Sequence, residues 1–186
     1  RLTNVGYARV PFMWGIHPGI AVRPGARIQV PGTTGTFHEG SSDLGIEPGT
    51  GFAWPHLPAA AGSIDLSVAR PPDPPSWELA FIDGLTAGWL AVTDPETRSG
   101  FAMSFDTDVF PVAWLWGVYG GWRGLYTVAL EAWTAHPPRL DEVIAAGRAR
   151  TLAPGESIET EVRFIAFDGV EFVVDVTSDG VVRSDG

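Results

Sequence analysis

Two ionisable residues sit where a charge needs a reason. His17 lies within "PFMWGIHPGI", Pro11 to Ile20, an otherwise apolar run that closes on Pro-Gly. An imidazole there is either a core histidine with a satisfied hydrogen bond or a catalytic acid. Glu131 follows the strand-like run "YTVAL" in "GLYTVALEAWTAHPP", Gly124 to Pro138. A carboxylate held on a rigid element suits a general base. The same position also fits an outward-facing strand residue, because alternate side chains of a strand point to solvent.

Aromatic residues are the third chemical feature. The tryptophans are Trp14, Trp54, Trp77, Trp89, Trp114, Trp116, Trp122 and Trp133. In "AWLWGVYGGW" Trp114 and Trp116 are two apart and share a face if the segment is a strand. A flat indole suits the apolar C–H face of a pyranose, and its N–H can donate to hydroxyls. Core packing accounts for most of the eight; Trp116, beside the Gly-rich turn, is the candidate sugar platform.

Other chemistries find little support. His17, His38, His56 and His136 lack metal-ligand spacing, and His38-Glu39 is not a helical HExxH pair, so no metal is expected. "GGWRG" lacks the Lys and the strand–helix setting of a phosphate loop, and no GxSxG elbow occurs. No cofactor is expected.

Composition narrows the class. Net charge is -10 over 186 residues, and every basic residue is Arg. No basic run exists, which argues against nucleic acid and against an anionic membrane surface. No apolar run approaches the ~20 residues of a membrane helix. The absence of Cys excludes disulfides and thiolate chemistry and fits a reducing cytosol, so a cytoplasmic location is expected. Residues 1–10 lack the pattern of a signal peptide, and the first residue is not Met, so a trimmed or longer protein is in view.

The elements that must position these residues read as strands. The 23 Gly and 16 Pro punctuate short segments rich in Val, Ile, Phe and Trp, as in a chain of strands joined by turns. Strands are predicted at Leu2–Asn4, Val10–Gly15, Arg27–Val30, Ser63–Val68, Trp77–Asp83, Gly88–Asp94, Gly100–Phe105, Val112–Gly117, Tyr126–Ala132, Ser157–Phe167 and Phe172–Thr177. One helix is predicted near Asp141–Gly147, with acidic residues in its first turn and Gly147 as its stop. The stretches "PGTTGTFHEGSSDLGIEPGTG", "RPPDPPS" and "GVYGGWRG" read as loops. The fold class is all-β, an antiparallel β-sandwich formed by residues 1–186 as one domain.

These stretches resemble the galactose mutarotase-like family, the aldose 1-epimerases and their relatives. "LTNVGYARVPFMWGIHPGI" resembles the strand and turn leading to the family's histidine motif, and "ARIQVPG" follows in family order. "YTVALEAWTAHP" resembles the strand of the catalytic glutamate, and "TLAPGES" the turn before the final strands. The resemblance implies a large antiparallel sandwich with an open sugar cleft, with His17 as acid and Glu131 as base in the interconversion of sugar anomers. It further implies Asp83 as a ligand of sugar hydroxyls, with Asp106 and Asp108 as alternatives. Trp116, Trp14 and His56 complete the expected substrate-binding set. The family's N-terminal strands, with an arginine and a second histidine, have no counterpart in this chain; His56 or His38 is the candidate replacement for that histidine. The motifs depart at Pro18-Gly19-Ile20, where an aromatic pair is usual, and at Ala132 and Trp133, where a polar residue follows the glutamate. A small-molecule sugar is the expected partner, with a second chain or a second copy covering open sheet edges. The competing expectation is a sugar-binding module without catalysis, or a sandwich fragment completed by another chain.

Overall fold

The computed structural model describes residues 1–60 and 62–184. About 48% of the chain is strand and 5% is helix, so the fold is all-β. The larger sheet has nine strands. Its centre is three eight-residue strands, Ser76–Asp83, Val112–Tyr119 and Tyr126–Trp133, paired antiparallel. Beyond Ser76–Asp83 the order runs Thr34–Gly40, Gly51–Ala53, His56–Ala59 and Gly62–Asp65. At the other side Gly15–Ile16 and Gly19–Ala21 both pair with Tyr126–Trp133. The smaller sheet runs Arg163–Asp168, Ser99–Ser104, Trp89–Asp94 and Arg27–Gln29.

The two sheets enclose the main core. From the large sheet come Ala80, Ile82, Leu115, Val128 and Leu130; from the small one come Ile28, Leu90, Val92 and Met103. These residues alternate along their strands, as a face packed on another sheet requires. The other face of the large sheet carries its own buried group, Phe81, Val112 and Trp114, joined by Met13, Leu79 and Trp133. Both faces of the central strands are therefore apolar, which is why "VAWLWGVY" reads as a continuous hydrophobic run without visible alternation. The hairpin of Val173–Val176 and Val182–Ser184 covers Trp89, Ala91 and Ala102 on the outer face of the small sheet.

Most predicted strands are present within a residue or two of their expected limits, and the differences have physical reasons. The stretch 31–51, read as a loop, contains the seven-residue strand Thr34–Gly40 and a short 3-10 turn at Ser42–Leu44. Its glycines serve packing: a Cβ on Gly35 would lie 2.2 Å from Phe52 Cζ, so that strand position must stay bare for the ring. The run 157–167, read as one strand, is two. Ser157–Ile158 pairs with Leu2–Thr3, and Arg163–Asp168 forms the outer strand of the small sheet. Phe164 is 58% exposed at that edge and stacks on Phe101. The helix spans Leu140–Ala145 with Val143 buried, and Gly147 ends it at φ 68°.

One polar group interrupts the core between the sheets. Glu78 is fully buried opposite Gly117, and a Cβ on that glycine would lie 2.5 Å from Glu78 Oε1. The Arg70 guanidinium donates to Glu78 Oε2 and to Ser76 Oγ, and lies 4.8 Å above the Tyr119 ring centre. Burial pushes the Glu78 carboxyl up to about 6 despite the opposing pull of Arg70. An acid whose folded value is raised favours the fold below its unfolded value and loses that contribution as pH rises through the folded value. Between pH 4.5 and about 6 the loss is on the order of 2 kcal/mol. Urea denaturation across this window should show stability falling with pH from this group, and Glu78→Gln should flatten that part of the profile.

Candidate active site

The cleft arises from strand register. Trp114 stands opposite both Phe81 and Glu131, and Trp116 stands opposite Leu79 and Ala129. Cross-strand partners share a face, so the side chains of these positions lie on the face turned away from the smaller sheet. The edge segment supplies His17. Ile16 pairs with Ala132 and Gly19 with Ala129, so one continuous register passes through His17 and brings it opposite Glu131. Pro18 has no N–H and breaks the ladder between the two short strands. Reciprocal bonds fix the start of this segment: Trp14 N donates to Thr134 Oγ1 at 3.0 Å, and Thr134 N donates to Trp14 O at 2.9 Å.

His17 Nε2 lies 3.3 Å from Glu131 Oε1. The glutamate is 1% exposed, whereas the histidine side chain is 51% exposed at the cleft mouth. Trp133 Nε1 donates to Glu131 Oε2 at 2.6 Å. Burial raises the Glu131 carboxyl above its ordinary range, opposed by the Trp133 bond and by the positive charge that His17 can carry. The cleft has a volume of about 340 Å³. Its walls are mostly aromatic: Trp77, Trp114, Trp116 and Trp122, with Leu79 and Pro138. Trp116 and Trp122 meet edge to face at 5.0 Å, and His17 meets Trp116 edge to face at 6.2 Å. Such a surface offers apolar faces and N–H donors around one acid–base pair.

Glu39, weighed in the sequence only as part of a metal pair, also lines the cleft. It lies on the strand hidden within the expected loop. A register shift there pairs Phe37 with Ala80 and Glu39 with Leu79, leaving His38 as the extra residue. A bulge of this kind lets two successive side chains serve one face. His38 packs 5.0 Å from Phe81, and Glu39 reaches the cleft. Trp77, Trp122 and Pro138 were not singled out, because their positions carry no signal apart from register.

The remaining sequence candidates lie elsewhere. Asp83 is on the cleft-side face but two residues beyond Phe81, and its carboxylate is taken by His136, with Nε2 3.2 Å from Oδ2. His136 stacks on Phe81 at 4.7 Å, and Arg148 Nη1 lies 3.3 Å from its Nε2. Trp14 turns onto the main core and meets Phe110 edge to face at 5.3 Å. His56 is exposed on His56–Ala59, at the opposite end of the large sheet from His17. Asp106 caps a turn by accepting from Asp108 N, and Asp108 O accepts from Arg150. Among the described residues no three His, Asp or Glu side chains come together as a metal site.

The class that this architecture defines is an antiparallel sandwich with an aromatic, acid–base cleft on one sheet, and solved structures share the fold. The Slr1438 protein of Synechocystis sp. PCC 6803 has a TM-score of 0.63 at 20% identity, over 88% of this chain and 47% of that one. A Klebsiella pneumoniae subsp. pneumoniae MGH 78578 protein, provisionally assigned as an aldose 1-epimerase, has a TM-score of 0.68 at 17% identity, over 89% and 41%. A TPR-domain-containing protein of Parabacteroides distasonis ATCC 8503 has a TM-score of 0.53 at 15% identity, over 87% and 25%. The chain spans less than half the length of each, and at these identities the likeness is one of fold. The sequence matches no family model and no curated protein.

Glu131 carries a stability consequence of its own. Its raised folded value means that its contribution to stability is lost as pH rises through that value. Glu131→Gln keeps an acceptor for Trp133 and removes the buried charge. Its thermal midpoint at neutral pH should equal or exceed that of the wild type by differential scanning calorimetry. A markedly lower midpoint would mean that the charge is needed for folding.

Proposed function

We propose that this chain belongs to a protein that interconverts the anomers of an aldose by general acid–base catalysis, with Glu131 as base and His17 as acid. The observation that carries the reading is the 3.3 Å contact between His17 Nε2 and Glu131 Oε1 inside an aromatic cleft. The anomeric hydroxyl and the ring oxygen are bonded to the same carbon, so their base and acid must converge. Glycoside hydrolysis instead sets its two carboxyl groups about 5–9.5 Å apart, on either side of the scissile bond. The fold likeness to a protein provisionally assigned as an aldose 1-epimerase supports the same reading.

In the proposed reaction Glu131 Oε1 accepts the proton of the anomeric hydroxyl while protonated His17 donates to the ring oxygen. The bond between C1 and the ring oxygen breaks and the aldehyde forms. Rotation about C1–C2 and closure with the proton transfers reversed gives the other anomer. Protons balance within the pair. Burial makes Glu131 a stronger base than a free glutamate, and Trp116 offers a flat face to the sugar ring.

The reading extends to assembly. Arg163–Asp168 is the outer strand of its sheet, and open edges seek a partner. A strand from a second chain would cover it, and static light scattering should then give a mass above that of one chain. A stable monomer would reject this part.

Polarimetry on fresh α-glucose and α-galactose tests the activity. Glu131→Gln and His17→Asn should each lower the rate by about 10²–10⁴-fold while sugar binding persists. The Glu131 limb of the pH profile should lie above the ordinary 4.5 of a free glutamate, with activity lost as pH falls through it. Binding without any acceleration by the wild type would replace the enzyme with a sugar-binding module.

A further inference from the structure

We propose that Trp133 is a positioning residue for Glu131: its indole holds one carboxylate oxygen and leaves the other as the proton acceptor presented to the cleft. The role rests on the acid–base reading of His17 and Glu131. Trp133 is two residues beyond Glu131 on one strand, so both side chains share a face. Its ring stacks on Trp114 at 4.3 Å with 16° between planes. On another side it lies against Gly15, its register partner, where a Cβ would come within 2.1 Å of Trp133 Cδ2. Packing on these sides sets the direction of the N–H bond.

The geometry at the carboxylate is asymmetric. Nε1 donates to Oε2 at 2.6 Å, a short bond of the charge-assisted kind, and Oε1 remains 3.3 Å from His17 Nε2. Indole nitrogen only donates. It can therefore hold an unprotonated oxygen but cannot compete for the proton, which must go to Oε1. A hydroxyl or imidazole in its place could turn around and accept. The other ionisable groups facing this carboxylate are His17 from the edge segment and Glu39 across the cleft. Asp83, His136 and Arg148 lie behind the rings of Phe81 and Trp114.

Trp133→Phe keeps a flat ring for the stack and removes the donor. With ¹³C-labelled glutamate, the Glu131 titration should move to higher pH, because a bond favouring the charged form is lost. Mutarotation kcat at neutral pH should fall roughly 10–100-fold, with KM within about twofold. An unchanged titration in the folded variant overturns the proposal. A measurement on the wild type is independent of that variant's folding. One indole ¹⁵N–¹H resonance should titrate with Glu131 and stop doing so in Glu131→Gln; no titrating resonance, or one that persists in the variant, overturns the role. If both titrations behave as described but no sugar is turned over, the proposed activity fails and the positioning of the carboxylate stands.

Discussion

The register between Val112–Tyr119 and Tyr126–Trp133 governs the whole arrangement. It places Trp114 opposite Glu131 and Leu115 opposite Leu130. The first pair faces the cleft and the second the core between the sheets. A slip of one residue would bury Glu131 among Leu90 and Met103 and turn Leu130 toward the cleft. In the turn Gly120 N donates to Leu125 O at 2.7 Å, which closes the hairpin. The register is also held because both faces are occupied, by the sandwich core on one side and by the ring cluster of Phe81, Trp114 and Trp133 on the other.

The large sheet thus carries a buried carboxylate on each face, and the two are treated differently. Glu78 faces the core and meets Arg70, a cation that keeps its proton at any ordinary pH. Glu131 faces the cleft and meets an imidazole, which can give its proton up, and an indole, which cannot take one. Both carboxyls are raised by burial. The difference in partner separates a fixed internal pair from one able to exchange a proton with something entering from solvent.

Much of the fold could be read from the residues. Gly and Pro punctuation marked the strands, and Asp141, Glu142 and Gly147 marked the helix Leu140–Ala145. The Thr34–Gly40 strand was hidden because glycines needed under neighbouring rings look the same in sequence as glycines needed for turns. The types of His17 and Glu131 were visible, but they stand far apart in the chain, and only register joins them. Glu39 was hidden twice, by its loop-like setting and by a bulge that composition does not reveal. Asp83 was visible as an acid at a strand end. Its occupation by His136 depends on a contact between segments that share no local pattern.

The close approach of Gly15 to the Trp133 ring has a hereditary consequence. A side chain at position 15 would occupy space that the indole already fills. Change at position 15 is therefore conditional on position 133: a residue larger than glycine at 15 can be accepted only after a smaller residue has replaced the indole. Two positions far apart in the gene are thereby coupled in one direction. The order of substitution is also constrained, because the tryptophan must leave first and the glycine follow.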